Sequence, residues 1–209
     1  MPDAEPKVFV VDDDDALCDA LREFLEAQGL PVEAYNSAEA FLAAGGPARP
    51  GCLVLDVRMR GMSGIELQGR LAADGFALPV IVITGHGDVP MAIRAVRNGA
   101  VDFLEKPVPD QLLLERIRHA LALDAQRRLA AEERNAAAAR LGTLTPRERQ
   151  VMDHVLAGES NKQIAAALGI SVKTVEAHRK RVMQKMGVHC VVDLMRAVTQ
   201  SEPPRPARE

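Results

Sequence analysis

Apolar residues follow two patterns along the first 124 positions of the chain. Continuous apolar runs such as KVFVV at 7–11 and PVIVIT at 79–84 are typical of strands buried on both faces. Between such runs, apolar residues recur every three or four positions, as at Leu17, Leu21 and Leu25, which favours amphipathic helices. The alternation predicts an α/β domain whose parallel sheet is covered by helices on both faces. Its strands are predicted at 7–11, 32–35, 52–56, 79–84 and 101–106.

A stretch rich in Ala, Glu and Arg covers residues 112–141 and contains no helix breaker before Gly142. It predicts one long helix that leaves the first domain. Propensity alone leaves open whether this helix is a rigid spacer or a frayed one. We therefore divide the chain into a first domain at 1–124, a helical linker at 125–142 and a second domain at 143–209.

Helix-start signals mark the second domain. TPRE at 145–148 and SNKQ at 160–163 each place a hydroxyl residue before a helix and Glu or Gln three positions later, which forms a capping box. Two predicted helices separated only by GIS at 169–171 form a helix-turn-helix pattern, and a last helix is predicted at about 190–199. The second domain is therefore predicted to be all-α.

The two domains differ in charge. The net charge of the chain is −3, but residues 1–124 carry −9 and residues 143–209 carry +4. This asymmetry indicates two domains with different partners, and the basic domain favours nucleic acid as one of them.

Composition excludes several classes of protein. No apolar run approaches the ~18 residues of a membrane span, and the N-terminus does not resemble a signal peptide. The three cysteines, Cys18, Cys52 and Cys190, are far apart and lack metal-ligand spacing. We expect a soluble cytoplasmic protein with reduced thiols and no membrane partner.

Polar residues stand at the carboxyl ends of the predicted strands. Asp12 and Asp13 follow the first strand, and Asp56 ends the third. Thr84 ends the fourth strand and Lys106 ends the fifth. In a doubly wound sheet of order 2-1-3-4-5, ligand sites form beyond the carboxyl ends, where the strand order reverses. These residues are therefore expected to converge on one crevice.

This set of side chains suits phosphoryl chemistry on a carboxylate. Three carboxylates with room for water favour Mg²⁺, a hard ion that prefers oxygen ligands. Asp56 is the expected nucleophile, because it stands alone on the middle strand and carboxylates form aspartyl-phosphates. Thr84 and Lys106 supply the hydroxyl and the ammonium that phosphoryl oxygens require. A simple turn that begins a helix remains the interpretation of Asp14 and Asp15.

The motifs VVDDD, LDVRMRGMSGIEL and VITGHGDVPMAIRAVRNGAVDFLEKP resemble the receiver domain of two-component response regulators, in particular those of the FixJ type, over residues 6–124. The resemblance implies a flavodoxin-like fold, a cis Lys106–Pro107 bond and phosphorylation by a sensor histidine kinase. It implies phosphorylation at Asp56, Mg²⁺ ligation by Asp12, Asp13, Asp56 and the carbonyl of Arg58, and a phosphoryl-responsive switch formed by Thr84, Phe103 and Lys106.

Two residues near this site have open interpretations. Relatives usually carry Pro at the position of Arg60, so the loop should be looser here. Arg60 is either a solvated surface residue or a contact of the phosphoryl group or the kinase. His86 either affects the access of water to the phosphate or is a simple loop residue.

The predicted helix at 172–186 has one mainly apolar face and one mainly basic face. A basic face on the second helix of a helix-turn-helix is typical of a major-groove reader, but a solvated helix of a small bundle has the same pattern. Val172, Val175, Arg179, Val182 and Met186 share one face, which is predicted to belong to the core apart from Arg179.

The segment from Leu144 to Val188 resembles the LuxR-type DNA-binding domain, which favours groove reading. Many relatives have Lys where this chain has Glu176, so the base preference there is open. We assign Lys173, Glu176, Ala177 and Lys180 to base edges, and Lys162, Thr174, His178 and Arg181 to phosphates.

The leading hypothesis is a transcription regulator activated by phosphorylation. Phosphate on Asp56 would drive two receivers to pair as a homodimer that binds a double-stranded DNA operator, and RNA polymerase is expected as a further partner. Aspartyl phosphatases and phosphotransferases usually carry a second acid two residues after the nucleophile, where this chain has Arg58. No enzyme is therefore expected, beyond a receiver that assists its own phosphoryl transfer and dephosphorylation. The alternative is a phosphorylation-independent DNA-binding regulator with a vestigial receiver.

Overall fold

The computed structural model describes residues 5–85 and 89–201, and the chain divides into two compact units between Arg128 and Leu129. The first unit contains a parallel sheet of strand order β2-β1-β3-β4-β5. The predicted fold class is thus confirmed. The strands are β1 (Lys7–Val11), β2 (Val32–Tyr35), β3 (Gly51–Asp56), β4 (Val80–Thr84) and β5 (Asp102–Glu105). The helices of this unit are α1 (Asp15–Ala27), α2 (Ala38–Ala43), α3 (Gly64–Ala73) and α4 (Val89–Arg97), and α5 (Asp110–Gly142) follows the last strand.

Successive residues of each strand point into two separate cores, because the side chains of a strand alternate between its faces. Phe9 of β1 packs in one core with Leu67 of α3, whereas Val10 packs in the other with Leu25 of α1 and Ile117 of α5. All five side chains are fully buried. Helices therefore cover both faces of the sheet and leave its carboxyl edge for a site.

Helix α5 is attached to the start of β3 by a buried carboxylate. Asp124, which is 4% exposed, accepts hydrogen bonds from Gly51 N at 2.9 Å and from Arg128 Nε at 2.7 Å. Arg128 also donates to the carbonyl of Arg49 at 2.7 Å. Residues 125–142 are helical and continue α5, and the boundaries of the predicted linker stay a prediction.

The second unit contains α6 (Pro146–Leu156), α7 (Asn161–Leu168), α8 (Val172–Met186) and α9 (Val191–Ser201). Both predicted capping boxes are present, at Thr145 before α6 and at Ser160 before α7. Gly169 takes a left-handed conformation with φ 64° between α7 and α8, where a side chain would be strained. In the part of the chain that the structure describes, no helix is long and apolar enough to span a bilayer.

Candidate functional site

Two carboxylates and one ammonium meet at the carboxyl edge of the sheet. Asp12 follows β1 and Asp56 ends β3, and they are 2% and 5% exposed. Lys106, just after β5, donates from Nζ to Asp12 Oδ2 at 2.8 Å and to Asp56 Oδ1 at 2.7 Å. The strand order thus brings residues from three strands into one crevice, as the sequence predicts.

The backbone around Asp56 holds its carboxylate in place. Asp56 Oδ2 accepts a hydrogen bond from Arg58 N at 2.6 Å, and Gly64 N donates to the carbonyl of Val57 at 3.0 Å. A Cβ atom on Gly64 would lie 2.0 Å from the Asp56 carbonyl oxygen, so any larger residue would push α3 away. Glycine therefore allows α3 to begin directly against the end of β3.

Burial and ion pairing shift the pKa values of Asp56 and Lys106 in opposite directions. Burial raises the pKa of Asp56, and the hydrogen bond from Lys106 lowers it only in part, while the neighbouring Asp12 raises it further. Burial lowers the pKa of Lys106, but its hydrogen bonds to Asp12 and Asp56 outweigh burial and raise it. Lys106 therefore stays charged, and its ion pair does not fully offset the burial of the Asp56 carboxylate.

Asp13 contacts the loop after β3. Its Oδ2 accepts a hydrogen bond from Arg60 N at 3.2 Å and lies 3.6 Å from Arg60 Nε. The neighbouring Asp14 caps α1, since its Oδ1 accepts from Ala16 N at 3.0 Å and Leu17 N at 3.2 Å. The prediction that Asp14 forms a turn at the start of a helix is thus confirmed.

The two predicted switch residues lie on neighbouring strands. Thr84 ends β4, is fully buried and accepts a hydrogen bond on its carbonyl from Lys106 N at 2.8 Å. Phe103 on β5 is half-buried, pairs in register with Val82 and packs against one of the two cores. The peptide bond between Lys106 and Pro107 is cis, as the resemblance implies.

Helix α8 presents polar residues to solvent on one face and apolar residues to a core on the other. Val175, Val182 and Met186 are buried. Ser171 caps the helix by accepting from Thr174 N at 3.1 Å. Exposed residues of the predicted DNA contacts are Lys162 on α7 and Lys173, Glu176, Ala177, Lys180 and Arg181 on α8.

Side chains on α8 also hold it to the two preceding helices. Lys185 donates to Glu148 Oε2 at 2.6 Å, and Glu148, which is 3% exposed, also closes the capping box with Thr145. Arg179 donates to Asn161 Oδ1 at 2.7 Å. The orientation of α8 is therefore fixed by polar contacts as well as by its apolar face.

Comparison with known protein families identifies a separate family for each of the two domains. Residues 8–118 match the family of response regulator receiver domains. Residues 142–198 match the luxR family of bacterial regulatory proteins. The chain belongs to the response regulators. This response regulator is a two-component transcriptional regulator with a LuxR-type DNA-binding domain.

Similar proteins match the response regulator along almost its whole length. Transcriptional regulatory protein FixJ of Azorhizobium caulinodans is 46% identical over 196 residues, covering 94% of this chain and 92% of that protein. Response regulator protein TmoT of Ectopseudomonas mendocina is 45% identical over 196 residues, covering 94% of this chain and 89% of that protein. The solved structure of response regulator StyR has a TM-score of 0.87 at 45% identity, covering 94% of this chain and 100% of that chain.

Some sequence predictions need correction or lie beyond the described residues. Val172 is 38% exposed and not in the core, because it starts α8, where the helix has not yet reached the apolar cluster. His178 is half-buried, and its Nδ1 is buried without a hydrogen-bond partner in the described part of the chain. His86 lies outside the described residues.

Sequence reasoning missed the contact of Arg60 with Asp13 and that of Lys185 with Glu148, since both join distant parts of the chain.

Proposed function

We propose that Asp56 of this response regulator accepts a phosphoryl group from the phosphohistidine of a sensor histidine kinase. The observation that carries the proposal is the Lys106 ammonium placed between Asp12 and Asp56 in the crevice. As the bond from an Asp56 oxygen to phosphorus forms, the bond from phosphorus to the histidine nitrogen breaks. Lys106 then neutralises phosphoryl oxygens, and the Thr84 hydroxyl donates to them.

We further propose that the crevice holds Mg²⁺ through Asp12, Asp13, Asp56 and the carbonyl of Arg58. Within residues 5–85 and 89–201, no three His, Cys, Asp or Glu side chains are already arranged around a metal position. The donor set nevertheless suits the ion, because carboxylate oxygens outnumber the single bridging ammonium of Lys106 and Mg²⁺ prefers such hard ligands. Bound Mg²⁺ would supply positive charge to the phosphoryl oxygens.

The receiver assists only its own chemistry in this proposal. It takes the phosphoryl group onto Asp56 and later loses it to water, which restores the carboxylate and releases phosphate. The position two residues after the nucleophile carries Arg58, whose backbone N–H binds Asp56 and whose side chain cannot act as a general acid at neutral pH.

Phosphorylation is proposed to pair two receivers through the surface formed by α4 and β5. Thr84 and Phe103 respond to the phosphoryl group and bias the position of α4. Two apolar residues on α4, Ile93 and Val96, are 47% and 64% exposed, and such residues favour a surface that becomes buried in a homodimer.

A dimer would place two α8 helices about 34 Å apart, in successive major grooves of double-stranded DNA. Lys173, Glu176, Ala177 and Lys180 would meet base edges, and Lys162, Thr174, His178 and Arg181 would meet phosphates. The exposure of six of these eight residues supports the assignment. We propose that the protein acts in the cytoplasm with RNA polymerase as a further partner, and its three free cysteines suit that compartment.

Light scattering on the full chain tests the phosphorylation proposal. Beryllofluoride, which mimics a phosphoryl group on a carboxylate, should convert the wild type from monomer to dimer when Mg²⁺ is present. Asp56→Asn should stay monomeric under the same conditions. A wild type that stays monomeric would refute phosphorylation-driven pairing. DNA binding tests the vestigial-receiver alternative, with a duplex selected from a random pool. That alternative would be favoured if Asp56→Asn binds the duplex as tightly as the beryllofluoride-treated wild type does.

A further inference from the structure

Arg60 and Asp13 connect the loop after β3 with the loop after β1. The backbone N–H of Arg60 donates to Asp13 Oδ2 at 3.2 Å, and its guanidinium Nε lies 3.6 Å from the same oxygen. The Arg60 side chain is 94% exposed and the Asp13 side chain 27% exposed. One carboxylate oxygen thus accepts one hydrogen bond from Arg60 and lies within ion-pair distance of the guanidinium of the same residue.

Both contacts depend on the identity of residue 60. Proline, the residue that similar receivers usually carry here, has neither an amide hydrogen nor a positive charge, so it could make neither contact. Arg60 also lines a cavity of about 670 Å³ beside the crevice, as do Arg58 and Arg94. Arg60 therefore adds a positive charge next to one of the proposed cation ligands.

A carboxylate oxygen that accepts a hydrogen bond and faces a guanidinium is a weaker ligand for a cation. A divalent ion must either displace Arg60 or share Asp13 with its guanidinium, and both lower the affinity of the ion. The effect is limited because the Arg60 side chain is almost fully exposed to water, which screens its charge.

We infer that Arg60 competes with the divalent cation for Asp13 and thereby sets the cation affinity of the receiver. The inference rests on the proposed cation site at Asp12, Asp13 and Asp56, and it adds a positioning residue that acts through Asp13. Phosphorylation of Asp56 in this chain would consequently require a higher concentration of Mg²⁺ than it would with residue 60 replaced.

The test is the dissociation constant of Mn²⁺ for the full chain, measured from the electron paramagnetic resonance signal of free Mn²⁺. Arg60→Ala removes the guanidinium and keeps the N–H, and it should bind Mn²⁺ about twofold to fivefold more tightly than the wild type. Arg60→Pro removes both the N–H and the guanidinium, and it should bind Mn²⁺ at least as tightly as Arg60→Ala. Arg60→Lys keeps the charge and the N–H, and its affinity should stay within twofold of the wild type.

Two controls separate competition at Asp13 from a general effect of charge. Arg94→Ala removes a guanidinium from the same cavity without touching Asp13, and it should change the affinity less than Arg60→Ala does. In an Asp13→Asn background, Arg60→Ala should have no further effect, because the shared carboxylate is gone.

Equal affinity in the wild type and Arg60→Ala would overturn the inference, and so would an equal gain in Arg94→Ala or an undiminished gain in the Asp13→Asn background. A wild type that binds Mn²⁺ no better than Asp56→Asn would overturn the proposed cation site itself. The failure of the inference and the failure of the proposed function therefore give different results.

Discussion

Lys106 Nζ lies 2.7 Å from Asp56 Oδ1, although fifty residues separate them along the chain. The same ammonium donates to Asp12 at 2.8 Å, so one cation joins the carboxyl ends of β1, β3 and β5. Without it, two nearly buried carboxylates would face each other with no cation between them.

Removing Lys106 should therefore destabilise the first unit. Lys106→Met is expected to lower the free energy of unfolding by about 2–3 kcal/mol at neutral pH, because it leaves uncompensated buried charge. Urea unfolding can be followed by the fluorescence of Tyr35, the only tyrosine in a chain without tryptophan. Added Mg²⁺ should recover part of the loss if the cation site is correct.

Lys7→Met is the matched control for that measurement. Lys7 pairs with Glu33, and the two side chains are 37% and 28% exposed, so its loss should cost less than about 1 kcal/mol. Equal destabilisation by both substitutions would contradict the special role of Lys106.

Replacing either of two glycines of α3 by alanine should have opposite effects on stability. Gly64→Ala would place a Cβ 2.0 Å from the Asp56 carbonyl oxygen and should cost about 2 kcal/mol or more, with loss of beryllofluoride-induced dimerisation. At Gly69 the nearest atom to a Cβ is Asn98 Nδ2 at 3.6 Å, so Gly69→Ala should be neutral or stabilise the helix by up to about 1 kcal/mol. Thermal unfolding of both variants would check this pair, and a neutral Gly64→Ala would refute the close approach.

The second unit should lose stability in acid through Glu148. The hydrogen bond from Lys185 lowers the pKa of Glu148 to about 2, below the 4.5 of an unperturbed Glu. Because the folded value is the lower one, this stabilisation is present above about pH 4.5 and is lost as the pH falls toward 2. Glu148→Gln should destabilise the unit at pH 7 by about 2 kcal/mol and flatten its dependence on pH.

Hydrogen exchange of peptides from α6 and α8 would measure that effect at matched pH. Glu159→Gln removes the same charge at a less buried position, where the side chain pairs with His154, and should leave exchange in α8 unchanged. Wild-type protection in α6 and α8 that is unchanged between pH 5 and pH 3 would contradict the prediction.

Loss of a phosphate contact and loss of a base contact on α8 should change DNA binding in different ways. The first should change the dependence of affinity on salt, and the second the preferred DNA sequence. Arg181→Ala should weaken binding to all duplexes and reduce the slope of log affinity against log salt by about 1, since one phosphate contact is lost. Lys180→Ala should instead change the sequence that is selected from a random pool. Fluorescence anisotropy with beryllofluoride-treated full-length protein measures both.

Arg196→Ala provides the control for these DNA measurements. Arg196 is exposed on α9 and has the same charge as Arg181, but it lies outside the assigned DNA contacts. A slope change in Arg196→Ala equal to that in Arg181→Ala would show a general effect of charge and would contradict the assignment of Arg181 to phosphate.

Much of the fold could be predicted because its signals are local. The apolar runs predict the strands within one or two residues of their bounds, and Thr145 and Ser160 predict the starts of α6 and α7. Strand order at the switch point then predicts that Asp56 and Lys106 meet. Val172 was misplaced because a helical wheel assigns a direction to a side chain but does not show where along the helix the core begins.

The sequence by itself determined the α/β and helix-turn-helix organisation, the capping residues and the set of acids at the strand ends. Each of these depends on residues a few positions apart, through hydrogen-bond geometry and the periods of strand and helix. Only the tertiary structure decided that Asp124 binds Gly51 and that Arg60 binds Asp13, contacts that span 73 and 47 positions. Such pairs depend on which loops and helix ends become neighbours once the sheet is assembled, and on the rotamers that packing leaves open.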